Sequence, residues 1–213
     1  MKYSVSAIVL GFFAALNAAA PTPDDKPDPG QVTITGVNYG GTGCKAGTAH
    51  ISNSPDWATF TILFDEYKAT IGPGTWIADH AKMCNLNFKI NYPPGYQFTL
   101  YRANYTGSAN LELGVTVKQT SSFWFAGFVG DKPTFQSTFY GPFDDQYSLT
   151  DTLQSTVWSP CGASTTLNIN TQLVMTSSKP QAQGLINVSN FDFIFDKSDK
   201  NQHAYGVNWR RCN

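Results

Sequence analysis

The chain has 213 residues, enough for one domain or at most two small ones. Charged residues make up only 14%, while Ser, Thr and Asn together number 53, so hydroxyls and amides must keep most of the surface hydrated. With 14 basic and 15 acidic residues the formal net charge is −1, which predicts no basic surface for polyanions and excludes nucleic acid as a partner. Hydrophobic residues at 41% supply a real core and exclude a disordered chain.

The first twenty residues read as a secretory signal peptide. Lys2 precedes an apolar run at 5–16, and three alanines at 18–20 offer a cleavage site. This run is too short for a membrane helix, which needs about 20 apolar residues. The longest uncharged stretch further on, 152–178, is rich in polar residues. We therefore expect a secreted, extracellular protein without a membrane span.

The next ten residues, 21–30, contain four prolines and three aspartates, a composition typical of an extended linker. After this linker the sequence changes to short strand patterns separated by turn residues. We therefore expect a single folded domain over 31–213.

Strand patterns follow one another along this domain. Apolar residues alternate with polar ones most clearly at 85–90, where Leu86, Phe88 and Ile90 are flanked by asparagine and lysine. Further strands are predicted at 32–34, 59–64, 96–105, 111–117, 123–128, 135–140, 165–175, 185–195 and 204–211. The best helical stretch is Trp76 to Met83, and it is short enough to be a single turn.

Nine or ten strands without crossover helices predict an all-β fold. An antiparallel, jelly-roll-like β-sandwich suits the number and spacing of these strands, and a β-barrel is the alternative. No internal repeat of 20 to 50 residues is visible, so solenoids and propellers are not expected.

Four cysteines lie after the signal peptide, at Cys44, Cys84, Cys161 and Cys212. An even number in a secreted chain is most simply explained by two disulfides. Three pairings are possible, and we favour Cys44 with Cys84 and Cys161 with Cys212. Each bridge would stabilise the fold by roughly 4 kcal/mol in the chain-entropy model. Two sequons, at Asn104 and Asn187, are candidate N-glycosylation sites.

Three aromatic residues are candidates for ligand binding. If residues 96–105 form one continuous strand, Tyr101 and Tyr105 share a face with amides and hydroxyls. Such a surface suits sugars, whose rings have apolar faces and hydroxyl edges, and Trp124 is a further candidate of this kind. The alternative is that these rings belong to the core or pack beneath a glycan on Asn104.

Catalytic and metal-binding patterns are weak. A glycosidase needs two carboxyl groups, and Glu66 and Glu112 are the two glutamates of the chain, although both also suit solvent-facing positions. His50, His80 and His203 lack the spacing of metal ligands. Asp144, Asp145 and the aspartates after 191 lack the pattern of a calcium loop. We expect no metal and no cofactor.

Three blocks carry a resemblance to a known family. They are GTGCKAGTAHISNSPDWATFTILFDEYKATIG, WIADHAKMCNLNFKINYPPGYQFTLYRANYTG and GPFDDQYSLTDTLQSTVWSPCG. Together they resemble the secreted, largely fungal family called domain of unknown function 4360, over roughly 31–213. This resemblance implies a small, secreted, cysteine-containing protein and assigns no catalytic residue.

The sequence thus predicts a secreted, non-catalytic protein acting at a cell wall, host surface or extracellular matrix. Polysaccharide is the most concrete candidate ligand. Two alternatives remain open: a hydrolase that uses Glu66 or Glu112, and an effector that binds an extracellular protein.

Overall fold

The computed structural model describes residues 26–53, 59–100, 102–153, 157–162, 164–194 and 207–213. The predicted signal peptide at 1–20 lies outside these ranges. Within them the strands are β1 (Thr33–Gly40), β2 (Ala49–Asn53), β3 (Thr59–Phe64), β4 (Lys68–Ile71), β5 (Ala81–Asn91), β6 (Tyr96–Leu100), β7 (Arg102–Leu111), β8 (Val115–Phe125), β9 (Thr134–Tyr140), β10 (Phe143–Thr152), β11 (Ser164–Ser177), β12 (Gly184–Ile194) and β13 (Val207–Arg211).

Helical structure in the described residues is confined to two short 3-10 helices, Pro29–Gln31 and Ile77–Asp79. The predicted helix at Trp76 to Met83 is therefore correct only for its second to fourth residues, because β5 begins at Ala81. No helix in the described part of the chain is long and apolar enough to cross a membrane.

Two antiparallel sheets build the domain. The first has five strands in the order β1-β5-β11-β8-β9. The second has six strands, ordered β10-β7-β12-β3-β2, with β4 also paired to β12. Neither sheet closes on itself, so the predicted all-β sandwich is confirmed and the barrel alternative is wrong.

The core forms between the sheets from side chains that alternate along each strand. On β5, Leu86, Phe88 and Ile90 are fully buried, as their sequence pattern predicts. From the opposite sheet Tyr105 and Phe191 stack with ring centroids 4.8 Å apart. Each such side chain contributes about 1.5–3 kcal/mol through burial, so the alternation fixes which face of each sheet points outward.

A third, two-stranded sheet pairs β6 with β13. Its Trp209 packs against Tyr92 and Phe98, with ring centroids 5.7 and 5.1 Å apart. This sheet separates β6 from β7, so residues 96–105 do not form one continuous strand.

Two disulfides close the structure. Cys44 bonds to Cys84 across 40 residues, and Cys161 bonds to Cys212 across 51 residues. This is the pairing that the sequence favoured. The second bond fastens the residue after β13 to the segment that precedes β11.

Candidate functional site

Side-chain amides occupy successive outward positions on two central strands of the five-stranded sheet. Buried and half-buried residues alternate along β5 and β11, which places the polar side chains on the outer surface. The amides are Asn85, Asn87, Asn168, Asn170 and Gln172. Strand register sets Asn87 opposite Asn168 and Asn85 opposite Asn170. We call these five residues, together with Trp124 on the neighbouring strand β8, the amide face.

Hydrogen bonds connect the amides across and along the strands. Asn87 Nδ2 donates to Asn168 Oδ1 at 2.6 Å, and Asn170 Nδ2 donates to Asn85 Oδ1 at 2.7 Å. Gln172 Nε2 donates to Asn170 Oδ1 at 2.9 Å. Because an amide carries two N–H donors, the contacts among the described residues leave one donor each on Asn87, Asn170 and Gln172. The amide face is therefore held in position and still has hydrogen-bonding capacity.

Trp124 extends this surface onto β8. Its register partner on β11 is Asn168, so the indole and the amides form one row across the sheet. The side chain is half-buried, and Lys132 Nζ lies 3.6 Å from the ring centroid. A cation–π contact at an exposed site is worth about 0.5–1 kcal/mol, so a ligand can displace Lys132 at small cost.

Of the two tyrosine candidates, Tyr105 does not reach this surface. Tyr105 is 1% exposed, and burial raises the pKa of its hydroxyl far above the usual value. The prediction that Tyr105 contacts a ligand is therefore wrong. The reason is the change of sheet between β6 and β7, which buries both Phe98 and Tyr105 although one continuous strand would point them to opposite sides. Tyr101 lies outside the described residues.

Glu66 and Glu112 line different clefts and are both exposed. Glu112 borders an open cleft of about 760 Å³ at one end of the sandwich, and its Oε2 accepts a hydrogen bond from the backbone N–H of Gln183 at 2.8 Å. Glu66 borders a smaller cleft of about 200 Å³ with three lysines. The structure thus does not bring the two glutamates into one site, and neither has the buried environment of a general acid.

Histidines and aspartates form no metal centre in the described part of the chain, where no group of three or more His, Cys, Asp or Glu side chains converges. His50 contacts Asp65 at 3.0 Å on the surface, and His80 contacts Thr75 at 3.0 Å. His203 lies outside the described residues. A hydrogen bond from Lys82, 2.8 Å away, lowers the pKa of Asp79.

The two sequons differ in exposure. Asn104 is 5% exposed, and its Nδ2 donates to Asp192 Oδ2 at 3.4 Å while Thr150 Oγ1 donates to its Oδ1 at 3.4 Å. A glycan on Asn104 is incompatible with this environment, so that predicted site conflicts with the fold. Asn187 is half-buried on β12, and its glycosylation stays a prediction.

Comparison with known proteins places the chain in a family. Residues 30–212 match the family described as Domain of unknown function (DUF4360). An "Uncharacterized secreted protein" of Arthroderma benhamiae is 42% identical over 188 residues, which covers 87% of this chain and 74% of that protein.

Three solved structures of carbohydrate-binding modules also match at low similarity. TmCBM61 in complex with β-1,4-galactotriose has a TM-score of 0.26 at 11% identity and covers 76% of this chain and 90% of its own. A CBM4 module has a TM-score of 0.24 at 16% identity, covering 68% and 81%. A family 11 module from Clostridium thermocellum has a TM-score of 0.22 at 7% identity, covering 77% and 88%. Similarity at this level says nothing about what this chain binds.

The fold is thus that of a disulfide-linked, all-β sandwich protein. The chain belongs to the DUF4360 family, as its sequence blocks indicated, and the protein is secreted.

Proposed function

We propose that the protein binds carbohydrate, without catalysis, through the amide face. The observation that carries this proposal is the row of Trp124, Asn168 and Asn87 across three strands, with unused amide donors beside an indole ring. Sugars pair apolar ring faces with hydroxyl edges, and the indole and the amides match these two properties.

The shape of the surface selects an extended ligand. The amide face lies on the outside of a sheet rather than in an enclosing pocket. A small sugar gains most of its affinity from enclosure, whereas a polysaccharide can gather many weak contacts along an open surface. A cell-wall or matrix polysaccharide therefore suits this surface better than a free monosaccharide.

The test is retention on insoluble chitin, β-glucan, cellulose and pectin. Trp124→Ala should weaken binding by about 30-fold, the effect of losing a residue worth about 2 kcal/mol at a binding centre. Trp76→Ala is the matched control, because Trp76 is 80% exposed and lies on none of the strands that form the amide face, in the loop before the second 3-10 helix.

We expect the Trp76 variant to bind like the unmodified protein. Failure of the unmodified protein to bind any of the polysaccharides would overturn the proposal. Equal losses for the two tryptophan variants would also overturn it, because they would separate binding from the amide face.

A protein partner is the second candidate function, favoured by the exposed apolar side chains at one end of the sandwich. Trp76 and Ile77 are 80% and 86% exposed, and Leu113 and Tyr140 are 57% and 70% exposed. Exposed apolar groups concentrated in one region are typical of interaction sites. Trp76→Ser with Ile77→Ser should then abolish capture of an extracellular partner that the Trp124 variant still captures, and unchanged capture would exclude this end as the contact surface.

A further inference from the structure

The strands of the five-stranded sheet contain no aspartate and no glutamate. The acidic and basic side chains on β1, β5, β8, β9 and β11 are Lys82, Lys89 and Lys118. Lys132 adds a fourth ammonium beside Trp124. By contrast, β10 and β12 of the six-stranded sheet carry Asp144, Asp145, Asp151 and Asp192. The six-stranded sheet also carries Lys68 and Arg102, which do not balance its four carboxylates. A net charge of −1 therefore hides an uneven distribution of charge between the two sheets, which the sequence composition did not predict.

The lysines of these strands differ in the side that they face and in their partners. Lys82 lies opposite the buried Leu173 on the inner side of the sheet, where it lines the smaller cleft and is paired with Asp79 at 2.8 Å. Lys89 and Lys118 are exposed and form no ion pair with the residues that the structure describes. The acidic groups beside this sheet include Asp79, which is paired with Lys82, and Asp131, which precedes Lys132 in the chain. Asp151 of β10 accepts a hydrogen bond from Ser137 of β9 at 2.6 Å.

Register places the amides between the two unpaired lysines. Lys89 follows Asn87 by two residues on β5, and Lys118 on β8 lies opposite Val174, two residues beyond Gln172 on β11. With about 3.3 Å per residue and 4.8 Å between strands, the two lysine positions are roughly 28 Å apart. A ligand that contacts both must therefore be a polymer.

We infer that the ligand of the amide face is an acidic polysaccharide, one that carries carboxylate or phosphate groups along its chain. This inference rests on the proposed carbohydrate binding. Isolated lysines act as point charges and bind both kinds of anion, whereas the planar, bidentate contacts of arginine are absent from these five strands. The open face carries three ammonium groups, those of Lys89, Lys118 and Lys132. A typical DNA-binding surface makes about six to ten phosphate contacts, so nucleic acid is not the expected polyanion.

The experiment compares polymers that differ only in charge. Polygalacturonate is paired with fully methyl-esterified pectin, and a phosphate-bearing mannan is paired with the same mannan after enzymatic dephosphorylation. We expect at least tenfold tighter binding to one charged polymer than to its neutral counterpart at low salt. The advantage should shrink as salt is added, because the screening length falls to about 10 Å at 0.1 M. The polymer that shows the advantage identifies carboxylate or phosphate as the anion.

Two double variants assign the effect to the face. Lys89→Gln with Lys118→Gln should reduce the preference for the charged polymer about fivefold or more and leave binding to the neutral polymer unchanged. Lys45→Gln with Lys179→Gln removes the same charge from loops outside the sheet and should change neither.

The outcomes separate the two proposals. Equal binding to charged and neutral polymers, lost in Trp124→Ala, overturns the acidic ligand and leaves carbohydrate binding intact. Equal effects of the two double variants also overturn the inference, because net charge alone would then explain the preference. Binding to none of the polymers overturns the proposed function itself.

Discussion

The two outer faces of the sandwich are both polar, but they use their polar groups differently. On the six-stranded sheet the Asp192 carboxylate accepts hydrogen bonds from Thr61 at 2.7 Å, Asn190 at 3.0 Å and Asn104 at 3.4 Å. On the five-stranded sheet the amides bond in pairs and keep donors facing solvent. A surface whose polar groups hydrogen-bond to one another stabilises the fold. A surface with unused hydrogen-bond donors can bind a ligand.

The inner faces differ in their buried tyrosine hydroxyls. This difference should have the largest effect on the free energy of unfolding, at alkaline pH. Tyr67, Tyr105 and Tyr147 all belong to the six-stranded half, and burial raises the pKa of each hydroxyl above the ordinary value of 10.0. Above about pH 10 the unfolded chain loses these protons while the folded chain keeps them, so the free energy of unfolding falls as pH rises.

We expect each tyrosine to lower the free energy of unfolding by about 1.4 kcal/mol in total between pH 9 and 11, mostly above pH 10, measured by urea denaturation. Tyr147→Phe should reduce the total loss by one such increment. An unchanged loss in this variant would contradict the assignment to the buried hydroxyls.

The next largest effect is expected from the side-chain hydrogen bonds on the two outer faces. Asp192→Ala removes the acceptor of three donors on the six-stranded sheet and should lower the free energy of unfolding by about 3 kcal/mol. Asn170→Ala on the amide face should cost only about 1 kcal/mol, because its partners remain open to water. Chemical denaturation of both variants measures the two values, and a larger cost for Asn170 would reverse the comparison.

The smallest effect is expected in the layer between the faces. Gln119 on β8 is 1% exposed, and neither polar atom of its side-chain amide has a hydrogen-bond partner among the described residues. Gln119→Met keeps the side-chain length and removes a buried polar group, so we expect thermal unfolding to report a gain of about 1 kcal/mol. A loss of similar size would mean that the amide is satisfied by a water molecule held inside the core.

The sequence predicted a strand correctly where that strand buries one face and exposes the other. The alternation of Leu86, Phe88 and Ile90 predicted β5. The strands predicted at 135–140 and 165–175 fall within β9 and β11. Strand β10 was missed, because at the edge of its sheet it buries little and its sequence FDDQYSLTDT has few apolar residues. The sequence also did not predict that β6 ends at Leu100, since the residues before and after this position are rich in aromatic and apolar side chains.

The sequence predicts only part of the amide face. The alternation at 85–90 places Asn85 and Asn87 outward, and the stretch 167–172 repeats the same alternation of apolar and amide residues. What the sequence could not supply is the register that sets Asn168 between Asn87 and Trp124, because cross-strand partners are distant along the chain. The same limit explains why Glu66 and Glu112 were considered together although the fold separates them.

The bond between Cys44 and Cys84 has a consequence for survival outside the cell. Strands β2, β3 and β4 all lie between these two cysteines. A protease that nicks the backbone anywhere within 45–83 therefore yields two fragments that remain one covalent molecule, which runs intact on a gel until a reducing agent is added.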